Sequence, residues 1–309
     1  MSRKPKILIV CDVTGWAYDN VSSAIMKELQ GDFDFHKVYA EDLPVINHQA
    51  YDIVYCMYWR TDFMQRNLIP KRKLCIQVAS FWSWQEKYQI TLEQLVNDYL
   101  NNAYAVSTNC PGLFDLISSL HPNVFLNPSG VDSEKFHPHP PRSINKHEPF
   151  YVGWTGSTDA HGGNKGLYDI IEPVCQSLKN VHLRIVSKEK HWLPHHEMPN
   201  FYRDIDVYVC ASKSEGTPNP VLEAAASARC VISTPVGIVP MLISDGENGM
   251  IVRREKDDIQ SALIKLRDNR KLCAQMGINN RLVIEKDGWS WKYRAVNYKN
   301  MFNEILNRD

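Results

Sequence analysis

Apolar, β-branched runs recur at short intervals along the chain, and most are separated by stretches whose apolar positions repeat every three or four residues. In the first half the runs are KILIVC (6–11), FHKVYA (35–40), DIVYCMY (52–58), KLCIQVA (73–79), AYAVST (103–108) and NVFLN (123–127). Helical spacing is clearest at SSAIMKELQ (22–30) and LEQLVNDYL (92–100). Such alternation predicts α/β architecture with parallel sheets. It stops at HPHPPRSINKHEP (137–149), which carries four prolines and no apolar period and reads as a linker. It resumes with FYVGW (150–154), a helix from Gly166, VHLRIVS (181–187), IDVYVCA (205–211), a helix from Pro220, CVISTP (230–235) and GMIV (249–252). From about Lys256 the pattern is helical, broken at DGWS (287–290). The expectation is two Rossmann-like domains facing across a cleft, over 1–140 and 148–288, followed by a last helix within 289–309.

One stretch stands out against this background: SEGTPNPVLEAAASA (214–228), with carboxylates at Glu215 and Glu223 on either side of two prolines. On one continuous helix, residues eight apart sit roughly 80° apart in projection and two turns apart along the axis. The prolines exclude that helix. Pro218 biases Thr217 toward an extended conformation, and Pro220 suits the first helical position after an Asn219 N-cap. Glu215 is therefore expected on a loop, and Glu223 one turn inside a helix whose free N–H groups and dipole make an anion site. IDVYVCAS leads into this loop as a strand, so the loop sits at a strand's carboxyl end, where open α/β sheets bind ligands. The Val236–Gly237 turn sits at the next such end.

Composition narrows the function classes. The 309 residues carry 35 basic and 35 acidic side chains, which removes any electrostatic case for nucleic-acid binding. Eight cysteines are scattered singly, without a C-x-x-C pair. Cys11, Cys56, Cys75, Cys210 and Cys230 fall inside or at the ends of apolar runs, as buried thiols do in a reducing compartment. The N-terminal residues run straight into a strand-like segment, and no apolar stretch approaches the ~18 residues of a membrane span. The expectation is a soluble, cytoplasmic protein.

Glu215-Gly-Thr-Pro-Asn-Pro-Val-Leu-Glu223 resembles the E-x7-E signature of retaining glycosyltransferases with the GT-B fold, specifically glycosyltransferase family 4. Other segments match in the right order. NPSGVDSEKF (127–136) is similar to the family's "NGVD…F" segment, VGW…NKG (152–166) to its "VG…KG" phosphate loop, and SDGENGMIV to its "DG.NG.LV" segment. MPNFYRDIDVYVCAS matches the approach to the signature, and the likeness is faint over the first 120 residues.

The resemblance implies a function. Glu223 would accept hydrogen bonds from ribose hydroxyls of a UDP- or GDP-linked sugar, and Glu215 would hold a hydroxyl of the donor sugar. The diphosphate would lie between them, on the loop and helix start formed by Gly216, Thr217, Pro218, Asn219, Pro220 and Val221. Lys165, in HGGNKG (161–166), matches the phosphate-binding lysine, with Gly153 and Trp154 in the same loop. A bland alternative for Lys165 is a solvated surface lysine. The implied reaction is a metal-independent, hexosyltransferase-type transfer with retention, needing no cofactor beyond the nucleotide-sugar donor. The acceptor would be a carbohydrate, a lipid-linked or a small-molecule hydroxyl. The fold implied is GT-B, its last helix crossing back onto the first domain. A nucleotide-sugar hydrolase or epimerase on the same scaffold, or an inactive nucleotide-sugar binder, are the rival readings. The chain departs from the family pattern at Trp154, where arginine is frequent, at Ala228 and Cys230, where glycine and proline are usual, and at Met241, where glutamate is common.

The remaining motifs are weaker. In DVTGWAYDN (12–20), Gly15 could let the backbone approach the diphosphate, or simply form a turn; it is no G-x-G-x-x-G loop. FWSWQEKY (81–88) offers Phe81, Trp82, Trp84 and Tyr88 either as a sugar-stacking surface or as core. Asp204-Ile-Asp206 mimics a metal-binding D-x-D but opens an apolar strand and reads as structural. His191, His195 and His196 crowd one loop with no cysteine near, which suits a polar loop at the base-binding edge better than a metal site. Lys71-Arg72-Lys73 would permit peripheral membrane contact, though three charges are few.

Overall fold

The computed structural model describes residues 3–42, 45–60, 67–158 and 162–308. They form two compact units: the first comprises Met1–Gly130 and Trp291–Asp309, the second Val131–Ser290.

In the first unit, six parallel strands lie in the order β2-β1-β3-β4-β5-β6. They are β1 (Lys6–Cys11), β2 (Asp34–Tyr39), β3 (Ile53–Cys56), β4 (Leu74–Val78), β5 (Ala105–Thr108) and β6 (Val124–Leu126). Strands β1, β3, β4 and β5 are buried on both faces, as parallel strands between helices must be. Helix α1 (Ala17–Leu29) and helix α2 (Pro111–Ser118) follow β1 and β5. The predicted helix over 92–100 is instead a short α-helical turn, Leu92–Gln94, capped by Thr91 and continuing into a wider π-type turn, Leu95–Tyr99. Of the aromatic stretch, Trp84 is core, while Phe81, Trp82 and Tyr88 are half-buried; Tyr88 packs edge-on against Trp59.

The second unit holds five parallel strands in the order β11-β10-β9-β7-β8. They are β7 (Phe150–Gly156), β8 (Val181–Ser187), β9 (Val207–Cys210), β10 (Cys230–Ser233) and β11 (Met250–Ile251). Its helices are α3 (Glu172–Ser177), α4 (Met198–Arg203), α5 (Asn219–Ala226), α6 (Val239–Leu242), α7 (Lys256–Asp268) and α8 (Arg270–Lys286). Strand β8 lies on one side of β7 and β9 on the other, so the chain reverses its winding between β7 and β9. In a doubly wound sheet the carboxyl ends of two such strands flank the ligand crevice.

Helix α9 (Trp291–Leu306) completes the first unit. Trp291, Ala295, Tyr298, Met301, Phe302 and Ile305 recur at helical spacing and join the core formed by β1, β3 and α1. Phe302 meets Phe33, Phe35 and Tyr55 edge-on, and the Tyr298 hydroxyl donates to the Asn127 carbonyl at 3.0 Å.

The unit boundary differs from the predicted linker. The proline-rich stretch does not hang free: the segment from Val131 packs on the second unit. Arg281 donates to the carbonyls of Ser133 and Phe136, each at 3.0 Å, Arg142 stacks over the Tyr151 ring, and Arg229 donates to the Pro140 carbonyl. Prolines remove backbone donors, but their carbonyls remain good acceptors for these arginines. No helix among the described residues is long and apolar enough to cross a membrane. All eight cysteines are buried and free.

Candidate active site

The loops after β7 and β9 bring Lys165 and Glu215 together. Strand β9 ends at Cys210, and Ser212 to Pro218 form the loop that enters α5. The helix begins one residue earlier than expected, at Asn219, with Pro218 as its N-cap. Asn219 therefore does not cap it; its side-chain oxygen is buried without a partner, as is the Ser214 hydroxyl. Two orphaned polar atoms in one loop suit a site completed by a ligand. Val221, by contrast, is fully buried and its N–H is donated to the Pro218 carbonyl at 2.9 Å, so neither faces a ligand.

The β9 loop is held in place by its neighbours. Asn164 accepts from the Ser214 N–H at 3.1 Å and donates to the Ser214 carbonyl at 3.1 Å, a side-chain mimic of strand pairing. Gly216 accepts from the Ile238 N–H at 3.0 Å. Gly237, at φ +54°, lies so close that a Cβ there would stand 1.7 Å from the Gly216 oxygen; only glycine fits. Thus the Val236–Gly237 turn buttresses the loop from the next strand end.

Lys165 and Glu215 meet within this frame. The Lys165 ammonium donates to Glu215 Oε1 at 2.6 Å, and the Ser212 hydroxyl donates to the same oxygen at 2.8 Å. Their side chains are only 20% and 14% exposed, which sets aside the solvated-lysine alternative. Burial works against the Lys165 charge, but Glu215 outweighs it and holds the ammonium above its ordinary range. Gly166 turns the chain at φ +71° and presses against Ala211, fixing where Lys165 emerges. His161, at the start of that glycine-rich loop, lies outside the described residues.

Glu223 is the centre of a second cluster, one that spacing alone does not reveal. Tyr202, on α4, donates its hydroxyl to Glu223 Oε2 at 2.8 Å, and His195 Nε2 lies 2.9 Å from Oε1. His195 Nδ1 is in turn 2.8 Å from the Lys135 ammonium. An ammonium can only donate, so Nδ1 must accept, and the ring proton belongs on Nε2, facing the carboxylate. Both carboxylate oxygens therefore receive a protein donor, and the chain Lys135–His195–Glu223 is fixed in direction. Phe136 packs its ring against both His195 and Tyr202. The sequence places His195 in a polar loop at the base-binding edge, but it does not single out Tyr202 or Lys135 as its partners, although the "VDSEKF" segment delivers Lys135.

The phosphate-loop alignment needs correction. Strand β7 continues to Gly156, and its inward positions 150, 152 and 154 alternate into the core. Trp154 is a core residue, 1% exposed. Gly153 is pinned beneath Ile205 and Phe201; a Cβ there would stand 2.4 Å from Ile205 Cδ1. Neither offers a surface to a donor. The strand end falls at Gly156, whose added Cβ would lie 3.7 Å from Lys165 Cδ, so Gly156–Ser157 is the segment beside the lysine. There Ser157 and Thr158 hydrogen-bond the Glu189 carboxylate; burial opposes its charge, yet these donors hold its pKa down to about 2.

Gly15, in the first unit, adopts φ +72°, which explains the glycine, and its N–H is donated to Asp19 at 2.8 Å rather than left open to a phosphate. Asp206 accepts from the Tyr151 N–H and pairs with arginines, in keeping with a structural role. Among the described residues, no three His, Cys, Asp or Glu side chains form a group that could hold a metal ion.

Two parallel sheets with a site at the switch point of the second define the fold as that of the GT-B glycosyltransferases. Sucrose-phosphate synthase from Thermosynechococcus elongatus superposes with a TM-score of 0.75 at 14% identity, covering 98% of this chain and 99% of that one. HepE of Anabaena, in complex with UDP and glucose, superposes at 0.70 and 12% identity over 99% and 100% of the two chains. In sequence, residues 149–269 match the family described as Glycosyl transferases group 1. Two uncharacterized glycosyltransferases of Methanocaldococcus jannaschii are also similar. MJ1178 is 24% identical over 46% of this chain and 39% of its own length, and MJ1069 is 27% identical over 33% and 26%. The matched stretch spans well under half of either curated relative.

Proposed function

We propose that the protein is a metal-independent glycosyltransferase that moves a sugar from a nucleoside-diphosphate-sugar to a hydroxyl acceptor, with retention of anomeric configuration. One observation carries the reading: a buried lysine–glutamate pair, Lys165–Glu215, stands beside the first turn of a helix whose Glu223 is oriented by two donors. In this reading Glu223 takes the ribose hydroxyls, Glu215 a hydroxyl of the transferred sugar, and the diphosphate lies between them. As the sugar–phosphate bond breaks, negative charge grows on the leaving diphosphate, where the Lys165 ammonium and the first turn of α5 stabilise it. The acceptor hydroxyl attacks from the face the diphosphate leaves, and a departing phosphate oxygen takes its proton. Binding of the diphosphate would draw Lys165 away from Glu215 and free that carboxylate for the sugar. HepE, whose fold this chain shares, is described in complex with UDP and with UDP-glucose, which supports a nucleotide-sugar donor.

The test is a thermal-shift panel of UDP, GDP, ADP and their sugar conjugates, without metal and then with magnesium, followed by proton NMR of the product anomer. A ligand at 100 times its dissociation constant adds about 2.7 kcal/mol of stability. A metal-independent shift with one nucleotide family and a product keeping the donor's configuration is the expected result. No shift with any nucleotide, or an inverted product, would overturn the assignment.

A further inference from the structure

At the opposite end of the second sheet, the residues entering β9 and β10, the segment from His139 and the start of α8 line a partly open cavity of ≈ 20 Å³, with His139, Asp206, Arg229 and Arg270 on its walls and Ile278 at its rim. Arg229 is 2% exposed and Arg270 4%, a degree of burial arginine tolerates only when its charge is matched. Here it is matched only in part: Arg270 also donates to the carbonyls of Arg267 and Glu148, but no carboxylate besides Asp206 lines the cavity. Asp206 is the one carboxylate lining the cavity, and it faces Arg270 at 3.4 Å and Arg142 at 3.7 Å. Its remaining capacity goes to the Tyr151 N–H. Arg229 donates through Nη2 to the Pro140 carbonyl at 3.1 Å, and the carboxylates of Asp206 and Asp204 act on its charge without an ion pair among the described residues.

Three guanidinium groups thus gather around one carboxylate. Unpartnered atoms line this place: the donors Arg229 Nε and Arg270 Nη1, with His139 Nε2, are buried without a hydrogen-bond partner. For Arg270 Nη1 the Asp206 contact is a charge contact without hydrogen-bond geometry. Arg270 also opens α8, so the positive end of that helix adds to the potential. Burial, only partly offset by Asp206, pushes Arg229 down to about 10, the mark of a cation short of counter-charge.

We propose that this cavity is an anion site, which holds one small monovalent inorganic ion of the chloride class and so balances the buried arginines. Size suits the class: one water needs ~10–15 Å³ by the same measure, and ≈ 20 Å³ matches a monatomic ion. Water could satisfy the two guanidinium donors but not the charge. The site is separate from the proposed donor site, which lies at the carboxyl ends of the same sheet.

The experiment is thermal melting of the full chain at constant ionic strength, with gluconate replaced stepwise by chloride. Linkage predicts a rise of roughly 2–6 °C for millimolar affinity. Arg229→Met should flatten the response, whereas Lys165→Met, which alters the donor site, should keep it. Melting that ignores the anion, or a chloride response lost in Lys165→Met but kept in Arg229→Met, would overturn the proposal. Should Arg229→Met fail to fold, crystals of the unaltered protein grown in bromide decide the question. An anomalous peak between Arg229 and Arg270 supports the site, and water alone there refutes it.

Discussion

Replacing Glu223 by glutamine tests the nucleotide site most directly, because the surroundings of Glu223 dictate how the amide must sit. Lys135 forces His195 Nδ1 to accept, so Nε2–H always donates toward position 223. The amide oxygen must take that proton, which leaves the amide nitrogen facing the Tyr202 hydroxyl. Tyr202 can turn its O–H and accept, so folding should lose only about 1 kcal/mol. The nucleotide suffers more. Both carboxylate oxygens are lost as charged acceptors, and a hydrogen bond to a charged group contributes about 1.5–3 kcal/mol. Nucleoside diphosphate affinity should therefore fall roughly ten- to 150-fold. Titration calorimetry with the nucleotide chosen by the thermal-shift panel reads this directly. A Glu223→Gln protein that melts normally and binds within about threefold of the parent would refute the role given to Glu223.

Three further outcomes follow from the same geometry. Glu215→Ala should cut turnover by about 100-fold or more while nucleotide affinity changes little, since its partner is the reacting sugar; paired rate and binding measurements check it. Gly237→Ala places a Cβ 1.7 Å from the Gly216 oxygen at a positive φ, and should cost about 3 kcal/mol or more, read as a lower melting temperature. Asp19 accepts from Lys37, the Gly15 N–H and the Tyr39 hydroxyl; burial opposes its charge, but these partners hold its pKa below the ordinary carboxylate value. A depressed carboxylate stabilises the fold above its unfolded pKa, and that stability is lost as pH falls through the folded value. Asp19→Asn should thus cost about 2 kcal/mol at neutral pH, with the gap closing below roughly pH 4 in denaturant melts.

The strands were legible because each is a short β-branched run bounded by polar turns; each of the eleven runs overlaps a strand. The Glu215 loop and the nearby helix start were legible from Pro218 and Pro220, which constrain the backbone locally. What failed was register and distance. The "VG" dipeptide at Val152–Gly153 suggests a phosphate loop that includes Trp154. Strand length decides the matter, and β7 runs three residues further, to Gly156. The Lys135–His195–Glu223–Tyr202 cluster draws on four separate segments, and no local period encodes their meeting. The proline-rich stretch misled for a related reason: its composition forbids regular structure, but its carbonyls still bind arginines far along the chain.

Helix α9 has a consequence for synthesis. The first unit needs Trp291, Tyr298 and Phe302 in its core, and these leave the ribosome only after the whole of the second unit. The second unit, Val131–Ser290, is continuous and has all its residues before α9 emerges. Vectorial folding therefore runs against the order of the sequence: the later domain matures first, and the earlier one waits with Phe33, Phe35 and Tyr55 uncovered. A nascent chain stalled at residue 290 would carry one finished domain and one adhesive sheet, a natural client for chaperones until α9 arrives.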